Sequence, residues 1–477
     1  MGIGLRLMGI GLTVLGILSP TIARSQPENL ICPSQLNAEI EAIINTPQFQ
    51  RSRWGIFIEP LASSTPLYSL DADHYFIAAS TVKLITTAVA LHELGADFQI
   101  RTSIYGDNQG NVLVVGRGDP SLTDKQLQDL AQQLKDQRIT QINHLYADNS
   151  YFSGVAIDPS WEWEDIQAGY GAPINSLILN QNSLDLILAP QGVGQPLKVT
   201  WVRPQQGRGW QIENQSVTVA KNQPEFVEIG RDLTQPLLRV GGQLRVGSKP
   251  ESVYAAVVNP AENFVQGLQN HLTEVGIQVS QISIVQSAST VGFQELAWVE
   301  SPPLSELIQG VNLESNNVFA GALLHTLGVR QNPKDTVAGG LNQIQQTLTK
   351  WGINPDSYVL VDGSGLSRQN WVSPRVFVQT LQGIATLAEF EPYQHSLPVA
   401  GVSGTLKTRF LNTPAVGIVQ AKTGTLTGVS ALAGYINPPN YSPLVFSILL
   451  NQSNESTRTS RQTIDQIVLL LTRLKSC

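Results

Sequence analysis

Ala78-Ala79-Ser80-Thr81-Val82-Lys83-Leu84-Ile85-Thr86-Thr87 runs on as Ala88-Val89-Ala90-Leu91-His92-Glu93-Leu94-Gly95, and the rest of the fold is organised around this stretch. Apolar residues recur at Val82, Ile85 and Val89, no proline interrupts, and Gly95 is a natural stop. The spacing predicts a buried helix from Thr81 to Leu94 with Ser80 at its N-terminus. Lys83 then lies one turn on, on the face of Ser80, where its amine can reach the hydroxyl. A serine alcohol is a poor nucleophile until a neighbour takes its proton. An ordinary lysine, with a pKa of roughly 10.4, is already protonated. Burial in a helix with almost no other charge lowers that value and frees the lone pair.

Alone, S-x-x-K is weak, since chance supplies it about once in a chain of this size. Here it occurs once, and is followed by one S-x-N, Ser315-Asn316-Asn317, and one K-T-G, Lys422-Thr423-Gly424. That trio, in that order, is the signature of serine enzymes of the β-lactamase and penicillin-binding group.

The chain has 477 residues, enough for two to four domains, with 42% hydrophobic and only 14% charged residues. Residues 1–25 read as a secretory signal: Arg6 precedes an apolar core from Met8 to Leu18, and Ala23-Arg24-Ser25 offers small residues for cleavage. Its removal takes Arg6 and Arg24 and shifts the net charge from -7 to -9. An acidic chain without a basic run is a poor nucleic-acid binder, and no later apolar run is long enough to span a bilayer. The six histidines and two cysteines have no metal-ligand spacing, so neither metal nor cofactor is expected. Export permits a disulfide between Cys32 and Cys477; sequence does not show whether they meet.

Pro33 to Ile44 reads as a helix, Trp54 to Ile58 and Leu67 to Leu70 as strands. From Gln99 short β runs take over, broken by helices near Asp124 to Asp136 and Glu262 to Glu274. The reading is therefore an α/β catalytic domain, residues 26–98 and 283–477, interrupted by a β-rich region at 99–282. An excursion that leaves and returns would bring Ser80 and Ser315, far apart in the chain, within hydrogen-bond reach.

Beyond the trio, Gly116-Arg117-Gly118-Asp119-Pro120-Ser121-Leu122, Trp161-Glu162-Trp163-Glu164-Asp165, Tyr170-Gly171-Ala172-Pro173, Asp362-Gly363-Ser364-Gly365-Leu366-Ser367-Arg368 and Gly404-Thr405-Leu406 span nearly the whole mature chain. In these the sequence resembles the low-molecular-mass class C penicillin-binding proteins, the D-alanyl-D-alanine carboxypeptidases and endopeptidases of peptidase family S13. The second motif reads Ser-Asn-Asn where many relatives have Ser-Asp-Asn.

The resemblance implies a β-lactamase/transpeptidase-like domain, helices packed on an antiparallel sheet, with the insertion forming two nested domains. It implies acyl transfer through a Ser80 ester without metal or cofactor. Lys83 would be the base, Ser315 the relay to the leaving amine, and Asn317 a partner of substrate amide and Lys83. Lys422 would repel a proton from Lys83 and help hold the substrate carboxylate, with Thr423, Gly424 and Thr425 beside it. The backbone N–H groups of Ser80 and Thr425 would form the oxyanion hole. Asp165 and Arg368, with Thr427 nearby, would meet the zwitterionic end of a diaminopimelate side chain. The implied substrate is a peptidoglycan stem peptide, the implied inhibitors are β-lactams, and the implied location is the periplasm or cell wall, with peripheral membrane attachment left open. The competing readings are a β-lactamase or related esterase on the same scaffold, and a non-catalytic wall-binding protein.

Overall fold

A computed structural model describes residues 30–287 and 289–477; the expected signal at 1–25 lies outside the described residues. The catalytic half is built on a five-stranded antiparallel sheet in the order Val419–Leu426, Val429–Ile436, Leu444–Asn451, Arg53–Pro60, Tyr68–Leu70. The second and third strands are buried along their whole length because both faces are covered. Alternation divides their side chains. Trp54, Ile56, Ile58, Leu432, Phe446 and Ile448 face one core with the helices Pro33–Ile44 and Thr457–Thr472. Phe57, Ala433, Tyr435, Val445 and Leu449 face the other, with the helices Val82–Leu94, Leu304–Asn312, Asn317–Gly328 and Pro374–Ala385.

The helix carrying Lys83 is buried on nearly every side, which explains its almost uniformly apolar sequence. It ends at Gly95, where φ of 87° requires a residue without a β-carbon. Its start lies within one residue of the expectation. The α-helix begins at Val82, and Ser80 sits in the 3-10 turn Ala79–Thr81 just before it, with Ala79 held at φ 49°.

Between Ile100 and Ser301 lie two further cores. The first is a five-stranded sheet ordered Gln278–Val285, Gln141–Asp148, Asn111–Val115, Arg101–Gly106, Gln294–Glu300, with helices Asp124–Asp136 and Pro260–Glu274 packed on it. The second, sequentially inside the first, is formed by strands between Ser183 and Ala256, with Leu186, Leu188, Leu238 and Val240 buried together. The outer sheet continues past residue 282, where the sequence reading closed the insertion. Its last strand, Gln294–Glu300, is an edge in which only Ala297 is fully buried, so it carries little apolar signal.

Cys32 and Cys477 are disulfide-bonded, with Cα atoms 5.8 Å apart. Ile31 N–H donates to Arg473 O and Lys475 N–H to Ile31 O beside the bond, so the segments around Cys32 and Cys477 are tied side by side.

Candidate active site

Three segments distant in sequence meet at Ser80. Lys83 Nζ lies 2.9 Å from Ser80 Oγ, 2.6 Å from Asn317 Oδ1 and 2.6 Å from the carbonyl oxygen of Ser364. Lys422 Nζ donates to Ser315 Oγ at 2.8 Å and to Thr423 O at 3.0 Å. Both lysines are completely buried, and Asn317 is nearly so.

Burial costs a charged amine its hydration, and it pulls the Lys83 pKa down to about 7 against the opposing pull of Asp362. Lys422 is held well below the usual lysine range, first by burial and then by repulsion from Lys83. The contacts of Lys83 suit both protonation states. A neutral amine gives two hydrogens to Asn317 Oδ1 and Ser364 O and turns its lone pair to the Ser80 hydroxyl; the ammonium donates to all three. Such a group can take the Ser80 proton and return it without moving.

The Ser364 carbonyl is placed by Asp362. Its carboxylate accepts from the backbone N–H groups of Ser364, Gly365 and Ser367, from Asn370 Nδ2 and from Trp161 Nε1. Thr86 Oγ1 donates to Gly363 O at 2.7 Å, fastening the same loop to the helix of Lys83. Gly365, at φ 78°, packs so closely that a β-carbon there would lie 1.9 Å from Ala79 O.

Ser315, at φ 61°, adopts a conformation that costs a non-glycine residue energy, as Ala79 does. Asn316 accepts from Phe319 N–H and caps the helix that begins at Asn317. Asn and Asp both cap helices well, so Asn316 can do here what an aspartate would do at the same place.

The strand Val419–Leu426 is the edge of the central sheet. Ala421 N–H donates away from the sheet, to Pro398 O. By the period of two, Thr423 and Thr425 direct their N–H groups the same way, into the cleft. Thr423 Oγ1 donates to Thr405 Oγ1 at 2.9 Å, and Arg461 Nη2 to Thr425 Oγ1 at 3.1 Å. A groove of about 870 Å³ runs from Ser315 and Asn317 past Tyr170 to the inserted region, room for a peptide chain.

Asp165 and Arg368 lie near enough to feel each other's charge, and each has another partner. Asp165 Oδ1 accepts from Tyr170 Oη at 3.1 Å, and burial raises its carboxyl above the usual range. Arg368 Nε lies 2.8 Å from Glu162 Oε1, and its Nη1 donates to Thr427 O at 3.1 Å. Tyr170 reaches the centre by its backbone, its carbonyl accepting from Asn317 Nδ2 at 2.9 Å. The sequence reading gave no role to Glu162, Tyr170, Thr405 or the Ser364 carbonyl, although the motifs containing them were visible, and it passed over Arg461 entirely.

A family model described as the D-Ala-D-Ala carboxypeptidase 3 (S13) family matches residues 36–474. The chain is similar to the penicillin-sensitive carboxypeptidase A of Dictyostelium discoideum, 30% identical over 466 residues that cover 88% of this chain and 87% of that protein. It is also 30% identical to a D-alanyl-D-alanine carboxypeptidase of an Actinomadura species, over 92% of this chain and 84% of the other. Among solved structures it resembles penicillin binding protein 4 of Haemophilus influenzae, with a TM-score of 0.76, 26% identity, and coverage of 93% of this chain and 98% of that one.

Proposed function

The chain belongs to the D-Ala-D-Ala carboxypeptidase 3 (S13) family, and from that membership we propose how its own residues perform the reaction. It is a penicillin-binding serine D,D-peptidase of the carboxypeptidase type. Ser80 attacks the carbonyl carbon between two D-alanines and passes its proton to Lys83 Nζ. The oxyanion that forms is held by the N–H groups of Ser80 and Thr425. As the C–N bond breaks, the proton is relayed through the Ser315 hydroxyl to the leaving nitrogen, and Lys83 is neutral again. In the second half a water attacks the ester, Lys83 takes its proton, and Ser80 receives that proton as it departs. Asn317 fixes Lys83 and retains an amide hydrogen for the substrate. Lys422 orients Ser315 through its hydrogen bond to Oγ, while Thr423, Gly424 and Thr425 line the strand along which the peptide lies.

The substrate is a peptidoglycan stem ending in D-Ala-D-Ala, and β-lactams acylate Ser80 in its place. Arg368 and Asp165, near Thr427, receive the charged end of the stem side chain. We take residues 26–98 and 301–477 as the catalytic unit and the segment between as the insertion. Export to the periplasm or cell wall fits the Cys32–Cys477 disulfide, and no described helix is long and apolar enough to cross a membrane.

This reading rests above all on the three partners of Lys83 Nζ. Intact-mass analysis after incubation with benzylpenicillin tests it. One adduct is expected on the wild type and none on Ser80→Ala; an adduct that survives in Ser80→Ala overturns it.

A further inference from the structure

The peptidase reaction requires a substrate with a free C-terminal carboxylate, and that anion needs a cation in the cleft. Lys422 is poorly suited to be that cation. It is fully buried, its amine is committed to Ser315 Oγ and Thr423 O, and both burial and the neighbouring Lys83 oppose its charge. A guanidinium keeps its charge where an amine gives it up.

Such a group stands at the open end of the same strand. Arg461 lies exposed on the C-terminal helix Thr457–Thr472 and donates from Nη2 to Thr425 Oγ1 at 3.1 Å. The charges around it leave one cation over. Asp465, one turn on, is taken by Arg409, which meets both of its carboxylate oxygens from the loop after Thr405. Arg409 itself is largely enclosed, so it is not the group presented to the cleft. Among the described residues Arg461 makes no ion pair.

We propose that Arg461, beside the Thr425 hydroxyl, recognises the free C-terminal carboxylate of the substrate and sets the preference for peptides that end in an acid. This rests on the peptidase reading above. The hydroxyl of Thr425 then has two partners, guanidinium and carboxylate, and leaves the Thr425 N–H to the oxyanion. A planar donor fork against a carboxylate gives direction as well as charge.

The test compares the wild type with Arg461→Gln and Arg461→Lys on paired compounds that differ only at the carboxylate. These are benzylpenicillin against its methyl ester, followed as second-order acylation of Ser80, and a D-Ala-D-Ala peptide against its C-terminal amide, followed as kcat and KM. For Arg461→Gln the acid of each pair should lose about ten- to a hundredfold, the size of one charge-assisted contact, with the peptide loss in KM rather than kcat. The ester and amide should change less than about threefold, and Arg461→Lys should recover part of the loss. Equal losses on acid and ester would show that Arg461 only steadies Thr425, and an unchanged acid would remove it from recognition; either result overturns the proposal. Failure of the wild type to acylate at all would instead overturn the peptidase reading.

Discussion

At the scale of single residues, the chemistry turns on which amine is neutral. With the Lys83 pKa near 7, the free lone pair is abundant above neutrality and scarce below it. The second-order rate of acylation by a β-lactam should therefore be flat above about pH 8 and fall about tenfold per pH unit below 7. A stopped-flow pH series on an uncharged-side-chain cephalosporin reads this directly, and a profile flat down to pH 5 would remove Lys83 as base. Lys83→Ala should slow acylation by about 10² to 10⁴ while the far-ultraviolet circular dichroism stays native. At the stem end, Glu162 occupies the Arg368 guanidinium that a substrate carboxylate would need. Glu162→Gln should raise kcat/KM about two- to fivefold for stems bearing a side-chain carboxylate, the modest worth of an exposed pair, and leave neutral stems unchanged. That Ser80, Lys83, Asn317, Ser315 and Lys422 would be brought together was legible because the proposed chemistry demands their side chains. Glu162 was not, because several acids in Trp161-Glu162-Trp163-Glu164-Asp165 could have faced Arg368, and only three-dimensional placement chooses among them. The roles of Ser364 and Tyr170 are carried by backbone carbonyls, on which side-chain identity is silent.

At the scale of elements, the loop Asp362 to Arg368 is as important as the helix beside it. It presents one carbonyl to Lys83 and one glycine to the underside of Ala79 and Ser80. Gly365→Ala would force a methyl group against Ala79 O in a backbone conformation that β-carbons disfavour. It should cost about 1–3 kcal/mol of stability and slow acylation more than tenfold, because the displaced backbone carries the nucleophile. Thermal melts and penicillin acylation of the same preparation measure both; an unchanged rate would mean the loop is only a filler. Periodicity disclosed the helices Pro33–Ile44 and Asp124–Asp136, each with several apolar positions on one face. It placed the start of the helix after Ser80 to within one residue but did not show the 3-10 turn that precedes it. The helix Pro374–Ala385 was passed over although Pro374 at its first turn and Val376, Phe377, Leu381 and Ile384 inside it were signals enough.

At the scale of the molecule, the catalytic half is assembled from both ends of the chain, and the Cys32–Cys477 bond joins them. Cys32→Ser with Cys477→Ser should lower stability by about 2–4 kcal/mol, seen as a lower melting temperature, with the acylation rate at 25 °C unchanged because the bond follows the C-terminal end of the helix Thr457–Thr472, away from Arg461 in its first turns. A slower rate at full folding would show that the bond reaches the cleft. That an insertion exists was legible in the distance between motifs that must cooperate. Its extent was not, because its closing strand is an exposed edge with little hydrophobic content.

The pairing of Arg53–Pro60 with Leu444–Asn451 in the middle of the central sheet has a consequence for how the enzyme is made. A ribosome or a secretion channel releases the nucleophile early and its structural neighbour very late. Until Asn451 has emerged, the early strand waits with one flank unsatisfied and Lys422 has no settled place. Fragments that stop short of Asn451 are thus expected to take up no penicillin, which mass analysis of truncated chains would read.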